Sequence, residues 1–396
     1  MPVGLGAILV VGATLRLWRL DRNGFGNEYY TAGVRSMSGS LHNLLYHAFD
    51  PAGFISVDKP PGAMWIQVAA VKLFGFHGLS VLLPQVVEGL LAIWLVHHLV
   101  RRQFGGPAGL LAALFLAVTP VSVAVDRSSN TESCLVLILL LAAWALTHAT
   151  EGGGRPFFLL AMALVGLAFN VKMLAALVVV PTFVVVYVAA APSGLRRRLV
   201  DVTMGGIVLL AVSLSWVVFY DLTPAHKRPY AGTTDSNSEL ELVVGAYGVG
   251  RFVRQSRAAV ADAMPLGGGP ADNARSPARN GPPPTLRTGS ARLFVGSPAG
   301  PLRLLDGQLA GQVAWMLPLG LAGVARRART ELFRRRPSPS ALALWLWSGW
   351  ALTYAVVYSA AGGFFHFYYM STLAPSLAAL AGVGAVHLWR LQSAGL

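Results

Sequence analysis

Lysine is scarce in this chain, standing only at 59, 72, 172 and 227. Lys59 lies in the stretch FDPAGFISVDKPPGAMW, Phe49 to Trp65, directly after Asp58, ahead of Pro60-Pro61, with Asp50 upstream. Lys172 sits in GLAFNVKML, and Glu132 follows Asp126 in the connection before it. Asn27, Glu28, Tyr29 and Tyr30 stand together early in the chain, and His366, Tyr368 and Tyr369 near its end. Ammonium groups can hold a phosphate, to which phenol and imidazole add hydrogen bonds. A carboxylate beside them can take the proton of an incoming hydroxyl as general base. Taken singly, each residue has a plainer reading. Lys172 and Lys72 read as anchors that snorkel to a membrane surface, and the tyrosine pair as an interfacial aromatic belt. Asp126 and Glu132 could solvate a turn, and Asp58 and Lys59 could simply pair with each other. The chemistry therefore depends on whether the elements bring these groups together.

Hydrophobic residues make up 55% of the 396, and charged ones only 12%. A soluble domain carries about 25% charged residues, so the fold class expected is an all-α integral membrane protein. Lys and Arg (31) exceed Asp and Glu (17), but the basic residues gather in short clusters between apolar runs. That is the pattern of cytoplasmic loops, not the basic stripe with interleaved aromatics of a nucleic-acid binder. Cys134 is the single cysteine and lies in an apolar run, so neither a disulfide framework nor a thiolate metal cage is available.

Apolar runs near 3–20, 79–100, 107–125, 133–149, 156–171, 173–191, 202–220, 306–325, 341–361 and 368–389 predict about ten transmembrane helices. The first is too long for a signal peptide and lacks a small-residue cleavage site, so it reads as a retained helix. With a cytoplasmic N-terminus, the inside connections hold Arg101-Arg102, Arg155, Arg196 to Arg198, the cluster from Arg326 to Arg336, and Arg390. This arrangement agrees with the positive-inside rule. The chain then divides into a transmembrane core at 1–220 with a first exterior loop at 21–78, an exterior loop at 221–305, and C-terminal transmembrane helices at 306–396. The exterior loops are expected to carry short amphipathic helices. Residues from about 265 to 301 are rich in Pro, Gly, Ala and Arg, a composition that reads as disordered.

On that topology the acids, lysines, histidine and tyrosines come from five separate exterior connections and share one face. Ionisable groups near a membrane mark function more often than packing. The set suits a lipid-linked phosphate donor whose tail lies among helices and membrane lipid. No P-loop, zinc-ligand spacing or nucleophile elbow competes with that reading. Carboxylates beside a phosphate would also hold a divalent metal, although no dedicated cage is apparent. A transporter or flippase would instead place ionisable groups at mid-membrane and show repeat symmetry, neither of which is evident. A cell-envelope scaffold would need the charged loop only for partner contacts.

The chain resembles the membrane-embedded C-type glycosyltransferases, and more closely the bacterial relatives of protein O-mannosyltransferases and lipid A aminoarabinose transferases (glycosyltransferase family 39). The matching stretches are NEYYTAGVRSM, FDPAGFISVDKPPGAMW, TPVSVAVDRSSNTES, GLAFNVKML, DLTPAHKRPY with NSELEL, GPLRLLDGQLAGQVAWMLP, and GGFFHFYYMSTLAP, in the family's order and across nearly the whole chain. The resemblance implies an inverting transfer of a hexosyl or pentosyl group from a polyprenyl-phosphate sugar to an exterior acceptor (glycan, lipid or protein). Where the family carries an acid pair after the first helix, this sequence has Asn27-Glu28. The general base implied is then Asp58 or Glu28, with Asp50 a further option. Lys59 and Lys172 take the places of lysines that face the donor phosphate. Glu132 stands where relatives carry an acid in the second exterior loop. His366, Tyr368 and Tyr369 correspond to a His-Pro-Tyr-Tyr type motif, with Phe367 in place of the proline. Asn27, Tyr29 and Tyr30 complete the implied site. Many relatives continue into further helices or a soluble exterior domain, whereas this sequence ends at Leu396.

Overall fold

A computed structural model describes residues 2–190, 194–245, 299–331, 337–361 and 365–393. Most of the expected disordered segment, 265–298, and part of the arginine cluster, 332–336, lie outside the described residues. Among the described residues the chain is helical, and no strand forms; two isolated bridges join Ala48 to Ser56 and Ile55 to Tyr230. The helices are α1 (Pro2–Leu17), α2 (Glu28–Gly39), α3 (Leu41–Leu45), α4 (Gly62–Phe74), α5 (Gly78–Phe104), α6 (Gly106–Val118) and α7 (Pro120–Asp126). There follow α8 (Glu132–His148), α9 (Gly154–Leu177), α10 (Val180–Ala190), α11 (Leu195–Leu222), α12 (Glu239–Val244), α13 (Leu317–Glu331), α14 (Pro339–Ala360) and α15 (Ala374–Ser393).

By length and composition, four described helical runs can cross a membrane: α5, the run Glu132–Leu177, α11 and α14. A fifth appears if α6 and α7, bent by 61°, count as one span. The sequence led to an expectation of about ten. Not every expected span meets that length and composition as a single helix. Several expected spans form shorter apolar helices, among them Val3–Leu17 and Val180–Ala190. In addition, α8 and α9 count as the one run Glu132–Leu177 through the turn Ala149–Gly153, although the backbone kinks at Gly152 (φ 119°). Its two legs pack on each other.

Helix α8 is apolar on every side and is the most enclosed element, as such a composition requires, with Leu135, Leu139, Ala142, Ala143 and Leu146 fully buried. It packs on α5 and α9, while α15 packs on α6 and α13. Gly384 allows that last approach, because a Cβ there would collide with the Leu319 carbonyl and the Gly323 amide. Small residues that let helix backbones meet are the usual device of membrane bundles.

The connection between α1 and α5 carries the short helices α2 and α3, together with the apolar helix α4, which was not expected as a separate element. Asn27 starts α2 by accepting the Tyr29 and Tyr30 amides on its side chain (3.1 and 3.5 Å). Pro61 stands at the N-cap of α4. The missing proline N–H costs nothing at a helix start, so the Pro-Pro pair fixes the entry angle of the chain. Exposed Lys72 closes α4, where a cation complements the helix dipole.

Candidate active site

Two groups of side chains form from the residues singled out in the sequence, and the backbone joins them. The first is built on residues 54–59. The Val57 amide donates to the His47 carbonyl (3.0 Å), the Ser56 amide to Tyr230 (2.9 Å), and the Tyr230 amide to Phe54 (2.7 Å). This short extended stretch leads directly into Asp58. There Lys59 Nζ pairs with Asp58 Oδ2 at 2.6 Å and also donates to the Asp58 carbonyl (3.1 Å). Both side chains are largely buried, at 12% and 16% exposure. Asp58 Oδ1 is buried and has no hydrogen-bond partner among the described residues. The Asp58 amide donates to the Tyr29 hydroxyl (3.2 Å), and the Tyr29 ring stacks on Phe49.

The second group surrounds Lys172. Helix α9 breaks at this residue: Lys172 has φ −152° and ψ 54°, and Met173 has φ 28°. A positive φ at a methionine is costly, about 1–3 kcal/mol, and such strain persists only where the surroundings impose it. The break turns the lysine toward Glu132, with which it forms a buried ion pair; the side chains are 8% and 2% exposed. The ammonium lies over the rings of Tyr369 (4.3 Å) and Tyr368 (4.9 Å), a cation–π arrangement from two sides. His366 stacks on Tyr368 (4.8 Å) and meets Tyr369 edge-on. Phe367 begins the tight helical turn Phe367–Thr372 that presents both tyrosines.

Close backbone contact joins the groups. A Cβ at Gly62, just after Pro60-Pro61, would come within 2.8 Å of the Asn170 carbonyl and of Val171 Cγ2. The Asp58-Lys59 turn therefore abuts the segment leading into Lys172. Tyr30 is buried and coupled electrostatically to both. Burial pushes its phenol well up, and Asp58, Tyr368, Glu132 and Tyr29 add to the rise through their charges. One buried phenol thus senses acids from both groups.

Other residues singled out in the sequence have different surroundings. Asn27 is committed to capping α2. Glu28 is exposed in the first turn of that helix, and its carboxylate makes no hydrogen bond or ion pair among the described residues. Asp50 builds its own turn, with Oδ2 accepting the Phe54 and Ile55 amides (2.9 and 3.0 Å). Asp126 does not solvate a turn. It is buried, paired with Arg16 of α1 at 2.7 Å and hydrogen-bonded by Ser133 (2.7 Å). The bend between α6 and α7 carries it back to the end of α1. Asp221 caps α12, accepting the Glu239 and Leu240 amides and the Ser238 hydroxyl.

Two buried groups beside Asp58 were not anticipated. His47 is fully enclosed and touches Met64 Sδ through Nε2 (3.0 Å). Burial holds its imidazole down at about 3, so it is neutral at physiological pH. Glu239 is 0% exposed. Its Oε1 accepts the Ser56 hydroxyl (3.1 Å), while Oε2 has no partner among the described residues. Burial raises this carboxyl to about 8. The Ser-x-x-Glu pattern of Ser238 and Glu241 marks a helix start in the sequence, but nothing local distinguishes Glu239. Arg303 is a further buried cation. It donates to the Tyr358 and Ala361 carbonyls (2.9 and 2.7 Å) and lies over Phe365, bracing the approach to His366.

No cluster of three or more His, Cys, Asp or Glu side chains that could cage a metal occurs among the described residues. Both lysines near the site are ion-paired. Each carboxylate would have to yield its partner to an incoming anion, and would itself be released by doing so.

The chain is similar to several known proteins. Residues 58–216 match the family model for dolichyl-phosphate-mannose-protein mannosyltransferase. Two putative mannosyltransferases of Bacillus subtilis (strain 168), YycA and YkcB, are each 35% identical to it, over 97% and 99% of this chain respectively. The chain spans 63% of the length of either relative. Among solved structures, ArnT from Cupriavidus metallidurans bound to undecaprenyl phosphate superposes with a TM-score of 0.62 at 18% identity, covering 99% of this chain and 62% of that one. The oligosaccharyltransferase of Archaeoglobus fulgidus in its apo form gives a TM-score of 0.57 at 15% identity, over 99% of this chain and 51% of that one. These solved structures share the fold, the C-type membrane arrangement.

Proposed function

From the kinship of this chain with the membrane-embedded C-type glycosyltransferases of family 39 type, we propose that it moves a sugar from a polyprenyl-phosphate donor to a hydroxyl acceptor at the exterior face of the membrane, with inversion. The observation that carries the reading is Asp58: one carboxylate oxygen held by Lys59, the other buried and unpartnered, against the segment that presents Lys172.

The donor phosphate enters between the two lysines and competes with Asp58 and Glu132 for them. Once Lys59 turns to the phosphate, Asp58 is a free carboxylate in a largely enclosed site and takes the acceptor proton. The acceptor oxygen bonds to the anomeric carbon while the bond from that carbon to the phosphate oxygen breaks. The electron pair leaves on the phosphate, and Lys59 and Lys172 stabilise the growing charge. His366, Tyr368 and Tyr369 shape the phosphate side and hold the Lys172 ammonium in place. Glu28, exposed at the first turn of α2, stands where an approaching acceptor meets the protein. The polyprenyl tail lies in lipid, which explains a site at the bilayer surface.

The test is purified full chain in liposomes, supplied with a panel of polyprenyl-phosphate hexoses and pentoses and short glycan, lipid and peptide acceptors. Release of free polyprenyl phosphate with one donor is expected. If every donor is bound or ignored without release, the reading is wrong.

A further inference from the structure

The chain after α11 folds back over the first exterior loop and is fastened there. Arg228 lies over the Tyr220 ring (4.6 Å) and donates to the Thr223 carbonyl and to Asn237 Oδ1 (both 2.9 Å). Asn237 Oδ1 also accepts the Ala231 amide (2.8 Å), and Asp221 caps α12. The short helix is thereby fixed against the end of α11, and its first residue, Glu239, is driven into the interior.

Ser56, two residues before Asp58, is where this lobe grips the first loop. Its amide donates to the Tyr230 carbonyl, its hydroxyl donates to Glu239 Oε1, and that hydroxyl oxygen accepts the Gly232 amide (3.0 Å). On the far side of the same stretch, Val57 is tied to His47. Asp58 is therefore the first side chain beyond a clamped stretch, and Glu239 is the only side chain of the second loop that bonds the Ser56 hydroxyl among the described residues.

Resting on the reading that Asp58 is the base, we propose that Glu239 is a positioning residue for Asp58, acting through the Ser56 hydroxyl. Its role is to accept a hydrogen bond, not to supply charge. A carboxyl raised to about 8 by burial is neutral at physiological pH, so a glutamine can do the same work. The Asp58 charge contributes to that rise, as expected for a group close to it. A displacement of the base of about 1 Å can cost on the order of 100-fold in rate without touching the chemistry itself.

Donor kinetics and amide hydrogen exchange over residues 54–59 are measured for wild type, Glu239→Gln, Glu239→Ala and Ser56→Ala. Glu239→Ala and Ser56→Ala are expected to lower kcat by about 10- to 100-fold, with KM for the donor within about 2-fold and faster exchange in 54–59. Glu239→Gln is expected to stay close to wild type in both readouts. Wild-type kcat and exchange in Ser56→Ala, which deletes only a hydroxyl, would overturn the proposal even if Glu239→Ala fails to fold. A Glu239→Gln variant as impaired in kcat as Glu239→Ala would overturn it too, by assigning the carboxyl to proton chemistry. If wild type moves no sugar at all, the proposed function falls, while the exchange arm still decides whether Glu239 holds the segment.

Discussion

Replacing Glu239 with glutamine removes a buried acid whose titration the fold has to bear. Burial lifts this carboxyl from 4.5 to about 8; the Ser56 hydrogen bond and Arg228 oppose the rise, and Asp221 and Asp58 add to it. Between those two values the folded chain keeps a proton that the unfolded chain has lost. Stability from this group is thus fully present below pH 4.5 and is lost as pH rises through 8. Integrated, a shift of that size makes wild type about 4 kcal/mol less stable at pH 9 than at pH 5 through Glu239 alone. The glutamine variant does not titrate in this range. Thermal unfolding of both proteins in the same detergent at pH 5, 7 and 9 is expected to give similar midpoints at pH 5. The variant should be higher by several degrees at pH 9. Other titrating groups, His47 included, are common to both proteins and cancel in the difference. Parallel profiles, or a gap that opens toward acid instead of alkali, would refute the reasoning.

Further outcomes follow from the other buried charges and the packing. Lys172→Met leaves Glu132 enclosed without its partner and should cost about 3–5 kcal/mol, most of it recovered in Lys172→Met/Glu132→Leu; denaturation in detergent reads both, and sugar transfer stays lost in the double variant. His47 is held at about 3 by burial, so the unfolded chain takes up a proton in acid that the folded chain refuses. Lowering pH from 7 to 5 should cost about 2 kcal/mol through this group, and the loss should vanish from the pH profile of unfolding in His47→Gln. Gly384→Leu drives a side chain into the Leu319 carbonyl and should lower the yield of monodisperse protein on size exclusion, while Gly206→Leu, at a position with open space, should not.

Sequence alone identified the class and drew attention to a few charged groups for one reason. In so apolar a chain, ionisable residues are few, and Lys59 and Lys172 stand out against that background. The C-type fold was legible through the order of the motifs. What was not legible depends on contacts distant in sequence. Glu239 looks like one acid of two in a helix start, and only its contact with Ser56, 183 residues away, sets it apart. Asp126 reads as a turn acid until the bend of α7 carries it to Arg16. Asn27 and Asp50 show the converse: residue types suited to chemistry are also those that satisfy stray amides, and here they cap a helix and a turn. Hydropathy does not register where a run bends or folds back, so the bend between α6 and α7 and the packing of α8 on α9 are visible only in the structure.

The most direct test of the account is single-turnover sugar transfer by Asp58→Asn beside wild type, with donor binding measured on the same preparations. The account predicts donor binding within a few-fold of wild type and transfer reduced by at least about 100-fold, the lower end of what a general base contributes. Transfer at the wild-type rate in Asp58→Asn would contradict it and would move the base to another carboxylate, Glu28 first.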